Sequence, residues 1–560
     1  MEKFSQIPYV RPDAEAVKAS LKRTAEEMRK AESYEQMRDL YLEAQKELQG
    51  WETMNTVANI RNTVDTNDAF YEQEMQFLNE ENPNLMLLVQ EMEKVILECP
   101  WREQWEKEYG TLFWKNMEIN QKLADESVVP EMVEESNLTQ QYSKVSATAV
   151  TLFRGKECNF YALLKHMQST DRQERKEAMM AWGDLYEKIS GELDDIYDKL
   201  VEVRCRIAEK LGFDSYIDFI YLSRGRYDYT AEDVKNFRRQ IKDVVVPLCQ
   251  QLRDAQAERL GVEKLHYYDE ELIFPEGNAV PMGSSRELVE KARKMYQEIS
   301  PQTGEFFNFM VEHELFDLET RAGKRPGGYC TFLPDFKAPF IFSNFNGTSA
   351  DVDVLTHEAG HAFEAYTAAK EVPLMDMVFP TSEVAEIHSM SMEQFAYPWM
   401  ECFFGEKADD YRYAHLMNGL EVIPYMVCVD EFQHRVFEKP SMTHEERRMV
   451  WHELEETYLP WRDYDGHEFL EKGGFWMQKQ HIFLFPFYYI DYALAQMGAY
   501  QFYGRMKEDR RKAWEDYYRL CRAGGSKGYF ELLELAKLDN PFQEGTVKKI
   551  VESLREDLKI

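Results

Sequence analysis

The stretch DVDVLTHEAGHAFEAY, Asp351 to Tyr366, holds two histidines and a glutamate with the types and spacing of a hydrolytic metal centre. Residues four apart share one face of an α-helix, so His357 and His361 point the same way, about one turn apart. Their ring nitrogens can then both reach a single Zn²⁺ at roughly 2.0–2.1 Å. Glu358, turned by about 100° from His357, is placed to take the proton of a metal-activated water as it attacks a carbonyl. The chain has 12 histidines in 560 residues, and at that content chance supplies such a motif only about 0.03 times per chain. The competing reading is two ordinary core or surface histidines.

A catalytic zinc site takes three protein ligands and leaves one position open. The pattern in which Gly and His follow the second histidine fails here, because those positions hold Glu364 and Thr367. A glutamate nineteen residues beyond His361 fails too, since that position is Pro380. The next segment, TSEVAEIHSMSMEQF, reads as a capped amphipathic helix offering Glu383, Glu386 and Glu393, with His388 as a further candidate. Glu383 falls in the first turn, where a carboxylate can simply face the helix dipole. Glu386 lies deeper, between Ala385 and Ile387, and His388 is turned about 200° from it.

Those side chains need elements to hold them. Thr348 and Ser349 are candidate N-caps for the motif helix, with Asp351 and Asp353 at the positive end of its dipole. Gly360 costs about 1 kcal/mol relative to alanine in a helix interior, which points to close approach by another backbone or by substrate. The segment RAGKRPGGYCTFLPDFKAPFIFSNFNGTSADVD just before the motif is the most strand-like in the chain, with two short apolar runs separated by Pro334–Pro339.

Elsewhere helical periodicity dominates, and only 27 Gly and 20 Pro interrupt it. Examples are AEAVKASLKRTAEEMRKAES and the long run from Lys176 that Gly212 ends. The polar passage before Phe160 reads as carrying a short strand or two, and Tyr267 to Arg286 breaks the helical pattern. The expectation is a mainly α protein, one large helical body with lobes. Residues 1–110 form an N-terminal helical region, 111–200 a helical lobe with short strands, and 201–560 the catalytic region.

Composition narrows the function classes. Hydrophobic residues at 44% and aromatics at 14% supply a folded core. A net charge of −34 repels nucleic acid; it can attract basic peptides, although keeping the protein in solution is the simpler role. The eight cysteines include no CxxC pair, which suits reduced thiols in a cytoplasmic protein. No run approaches the ~18 apolar residues of a membrane span, and the N-terminus lacks a secretory h-region.

The segments GGYCTFLPDFKAPFIFSNFNGTSADVDVLTHEAGHAFEAY, SEVAEIHSMSMEQF and KQHIFLFPFYYIDYALAQ together resemble zinc metallopeptidases of the thimet oligopeptidase family, in particular the oligoendopeptidase F and Pz-peptidase branch. The resemblance covers about 170 residues strongly. It implies one Zn²⁺ and a third ligand twenty-five residues after the second histidine, which is Glu386. It also implies a helical ellipsoid with a deep internal substrate channel and a small sheet beside the zinc.

The C-terminal motif of the family maps onto His481, Tyr489 and Tyr492 as groups acting on the scissile carbonyl, with Tyr488 as an alternative. The plainer reading makes Phe483, Phe485, Phe487, Tyr488 and Tyr489 an aromatic core stripe. Gly327, Gly328 and Tyr329 would line the substrate as an edge strand, though an ordinary turn after Pro326 explains the glycines equally well. The implied activity is hydrolysis of internal bonds in oligopeptides, with Glu358 as general base. The alternative is a non-catalytic helical peptide-binding scaffold around a structural metal. Oligomeric state is left open.

Overall fold

The computed structural model describes residues 1–123, 125–321, 323–325 and 327–560, so Pro326, the residue of the expected turn, lies outside the described residues. Helices fill most of the chain, as its scarcity of breakers predicts, and the described strands form two small sheets. No helix among the described residues is long and apolar enough to cross a membrane. The chain divides into two units. One comprises Met1–Leu123, Val280–Ala408 and Arg505–Leu538; the other comprises Ala124–Ala279, Asp409–Gly504 and Asp539–Ile560.

The first unit opens with three long helices, Ala14–Met28, Tyr34–Val64 and Ala69–Leu97, each started by an acidic or hydroxyl side chain (Asp13, Ser33, Asp68) that accepts a backbone N–H of the first turn. Their apolar faces bury Leu21, Met28, Met37, Leu78 and Met92 in one core.

The second unit contains the two-stranded sheet. The polar passage before Phe160 is mostly helix, Val129–Thr148, because its apolar residues recur at helical spacing; the expected strands are β1 (Thr151–Phe153) and β2 (Lys156–Cys158). They close on Arg154 and Gly155, both at positive φ (47° and 79°), the backbone a two-residue hairpin turn demands. After the short helix Phe160–His166, the long helix Arg172–Lys210 runs to a stop at Gly212, which sits at φ 80°.

The larger sheet belongs to the first unit. It contains β3 (Phe316–Glu319), β4 (Tyr329–Leu333) and β5 (Ala338–Phe345), in the order β3-β5-β4. Strand β5 is buried at nearly every position, as a central strand covered on both faces must be. The Ile341 N–H donates to the Leu315 carbonyl (3.0 Å), so Ile341 faces β3. Phe340 and Phe342 therefore turn towards β4, where the register sets them opposite Thr331 and Tyr329. The backbone groups of Cys330 and Phe332 are left facing the outer edge of β4, which no described strand pairs.

The motif helix, Ala350–Glu371, lies on this sheet through Ala365, Ala368 and Ala369, which pack with Phe332 and Val378. Its entry differs from expectation. Ser349 occupies the N-cap position but its side chain makes no cap bond, and the Thr348 hydroxyl is held by Asn346 (2.7 Å). Asp351 replaces them: its carboxylate accepts from the N–H groups of Asn346 (2.9 Å) and Gly347 (2.8 Å), pinning the chain that turns into the helix. The helix Ser382–Phe395 likewise starts without a side-chain cap bond from Thr381. Burial against the motif helix holds it.

That packing explains Gly360. A Cβ placed there would lie 2.6 Å from Ser389 Cα and 2.8 Å from the His388 carbonyl oxygen. The two helices therefore meet at backbone distance, and only glycine fits. Gly360→Ala should lower stability by about 1–3 kcal/mol despite the better helix propensity of alanine. Thermal unfolding should show a reduced Tm; a Tm at or above that of the wild type would mean that the helices are not packed so closely.

Candidate active-site residues

Helical spacing puts His357 and His361 on one face of the motif helix, with ring centroids 5.0 Å apart. The crossing at Gly360 brings the second helix near enough for Glu386 to reach both: its Oε2 is 3.3 Å from His357 Nε2 and 3.5 Å from His361 Nε2. Among the described residues these three form a cluster whose ligand atoms all lie within 4.8 Å of one another. Glu383 and His388, the other sequence candidates, are buried on the same helix but stand outside the cluster.

The cluster is fixed from behind. The Nδ1 of His357 shares a 2.5 Å hydrogen bond with Glu393 Oε1, which as a proton donor it can make while leaving Nε2 to carry the lone pair. Ser389 Oγ donates to Glu386 Oε2 at 3.0 Å. Neither support was assigned from sequence, yet a signal existed. Glu393 is seven residues and Ser389 three residues beyond Glu386, so both recur on the helix face that carries the ligand.

The neighbouring carboxylates favour positive charge on His357. Burial disfavours charge on His357, but hydrogen bonds to Glu386 and Glu393 hold its pKa well above the usual imidazole range. Burial also opposes ionisation of Glu386, yet the charge on His361 and hydrogen bonds from both histidines bring its carboxyl well below the ordinary range. Glu358 sits on the same helix, and burial raises its pKa against the opposing pull of His357 and His361. His388 is pushed down to about 3 by burial and then by His361, so it remains a neutral imidazole.

Gly327 stands at φ 98°, a backbone conformation suited to glycine, just ahead of β4. A Cβ on Gly328 would meet the Phe342 carbonyl at 3.4 Å and Val354 of the motif helix at 3.6 Å. The Tyr329 ring is stacked on Phe342 (4.8 Å, 10°) and its hydroxyl is bonded to Thr63 Oγ1 (2.6 Å), which anchors the start of the strand.

The second unit gathers His481, Tyr488, Tyr489 and Tyr492. The imidazole centroid lies 4.9 Å from the ring of Tyr489, 6.0 Å from Tyr488 and 6.2 Å from Tyr492. The aromatic run around them divides by role: Phe483 and Phe487 are fully buried, Phe485 is exposed, and the three tyrosines are half-buried. Phe483 is layered between Tyr142 (4.0 Å) and Trp476 (5.4 Å).

Three arginines then hold the backbone of this segment. Arg204 donates to the carbonyls of Ile482 and Phe483, Arg224 to Pro486, and Arg226 to Phe487 and to the Asp491 carboxylate. Gln433 Oε1 accepts the Phe487 N–H at 2.9 Å. These bonds keep Phe487 at φ 60°, a strained conformation for a bulky residue.

A helix-borne His-His-Glu cluster with a glutamate beside the first histidine has the donor set that a metallopeptidase centre uses. The chain belongs to peptidase family M3, whose sequence profile matches residues 165–278 and 287–552, while the profile of the family's N-terminal domain matches residues 4–124. It is an oligoendopeptidase F-like peptidase. It is 24% identical over 452 residues to an oligoendopeptidase F homologue of Borreliella burgdorferi, covering 75% of this chain and 74% of the relative. Among solved structures, Pz peptidase A with an inhibitor is 44% identical, with a TM-score of 0.94 over all of this chain and 99% of that one. A crystal structure provisionally described as oligoendopeptidase F is 45% identical, with a TM-score of 0.95 over 100% of this chain and 99% of that one.

Removing the support behind His357 should weaken the metal centre. Glu393→Gln is expected to lower metal affinity roughly 10–100-fold, measured by competition with a chelator of known strength. An unchanged affinity would show that Glu393 does not orient the ligand.

Proposed function

We propose that the chain is a zinc endopeptidase of oligopeptides in which His357, His361 and Glu386 hold one Zn²⁺. The supporting observation is the distance of Glu386 Oε2 from the two imidazole nitrogens, 3.3 Å and 3.5 Å. A tetrahedron with metal–ligand bonds of ~2.1 Å has edges of roughly 3.4 Å, so the donor set fits zinc, and three ligands leave one position open. When bound, zinc would supply Lewis acidity to a peptide carbonyl and lower the pKa of a water.

The other steps belong to this chain's side chains. The Glu358 carboxylate accepts the proton of the attacking water and returns it to the amide nitrogen as the amine leaves. The hydroxyls of Tyr489 and Tyr492 and the His481 imidazole are assigned as donors to the oxyanion, where loss of one such donor typically costs ~2.7–4 kcal/mol. An extended peptide main chain would pair with the open edge of β4, beside Gly327, Gly328 and Tyr329, while Tyr488 contacts the substrate side chains.

The names of the relatives, oligoendopeptidase F and Pz peptidase, support oligopeptides as the substrate class. All eight cysteines are free thiols, which a reducing cytoplasmic location suits.

An internally quenched nonapeptide tests the proposal: the chain should cleave it, a chelator should abolish cleavage, and zinc should restore it. Glu358→Gln should bind metal as the wild type does while kcat falls by several orders of magnitude. Turnover near normal in that variant removes Glu358 from the proton path. Tyr492→Phe should lower kcat with KM little changed, since its hydrogen bond is made only in the transition state. A pure KM effect would make Tyr492 a substrate-binding residue instead.

A further inference from the structure

Lys479 has no carboxylate in ion-pair range among the described residues, in a chain where 101 acidic residues outnumber 67 basic ones. Its ammonium instead donates to the Tyr489 hydroxyl oxygen at 2.8 Å. It also lies 4.6 Å from the centroid of the Tyr489 ring and 5.3 Å from that of Tyr425, two rings that meet edge to face at 5.8 Å. Cation–π attraction to both rings holds the ammonium in place.

The chemistry of the pair fixes its direction. An ammonium has three donors and no acceptor, so at this distance the phenol oxygen must be the acceptor. The single O–H of Tyr489 is therefore left free to donate elsewhere. A phenol that accepts from a cation is also more polarised, which strengthens its own O–H as a donor when negative charge develops nearby.

The pair also lines a cavity. Lys479, Tyr489, Gln478 and Asn418 line a cavity of about 330 Å³ within the second unit. Glu271 and Glu421 line the same cavity, and Glu421 is paired with Arg253 (3.2 Å).

We infer that Lys479 is a positioning residue for peptide hydrolysis, which aims and polarises the Tyr489 hydroxyl as a hydrogen-bond donor to the oxyanion. The inference rests on the oxyanion role proposed for Tyr489 and adds the group that sets its direction.

A double-mutant cycle on the full-length, metal-loaded chain separates the two claims. Tyr489→Phe should lower kcat about 100-fold or more, with KM changed little. Lys479→Met should lower kcat roughly tenfold or more with KM and metal content unchanged, as loss of a charge-assisted hydrogen bond predicts. In the Tyr489→Phe background, Lys479→Met should change kcat less than twofold, because the hydroxyl it would orient is gone. Lys479→Arg, which keeps donors and adds no acceptor, should recover most of the turnover lost in Lys479→Met.

If Lys479→Met lowers kcat by the same factor in both backgrounds, the lysine acts independently of Tyr489 and the inference is overturned. Wild-type kcat in Lys479→Met overturns it as well. If Tyr489→Phe itself keeps the wild-type kcat, the oxyanion role of Tyr489 fails, a result distinguishable from the failure of Lys479 alone.

Discussion

Two helices touching at backbone distance set the geometry of the His357–His361–Glu386 cluster. With the Cα of Ser389 and the carbonyl of His388 where the Cβ of residue 360 would otherwise sit, the ligand helix lies against the histidine helix with no side chain between them. A separation larger by one methyl layer would take Glu386 out of reach of the two imidazoles, since a short carboxylate arm cannot span it. The conformational cost of a mid-helix glycine is thus offset by a convergence of two imidazoles and a carboxylate that no other residue at this position would permit.

The charges follow from that contact. Burying two imidazoles beside Glu386 and Glu393 is favourable only if positive charge is shared among them, because an ionised carboxylate away from water is costly without a partner. The opposite displacements of the His357 and Glu386 pKa values express the same demand. The hydrogen bond between His357 Nδ1 and Glu393 fixes the orientation of that ring.

The second unit handles precision differently. Its aromatic cluster is held through the backbone, by arginines that capture four carbonyl oxygens between Ile482 and Phe487. Planar guanidinium groups with several donors are suited to this, and the strained φ of Phe487 is stable only because these bonds over-determine it. The tyrosines that follow can therefore stay half-exposed without being loosely placed.

The sequence by itself determined the helical character, the common face of His357 and His361, the need for glycine at position 360, and the paired apolar runs that became β4 and β5. All are local or periodic properties, readable from neighbours within a turn or two. Among Glu383, Glu386, Glu393 and His388 it could not choose on periodicity alone; family resemblance singled out Glu386. Only the tertiary structure decided how the two helices cross, that Glu393 backs His357 and Ser389 backs Glu386, that Asp351 and not Thr348 or Ser349 secures the motif helix, and that Lys479 bonds the Tyr489 hydroxyl. It also decided that each compact unit is assembled from three separate stretches of chain. These features depend on distances between residues far apart in sequence, which packing fixes and local pattern does not encode.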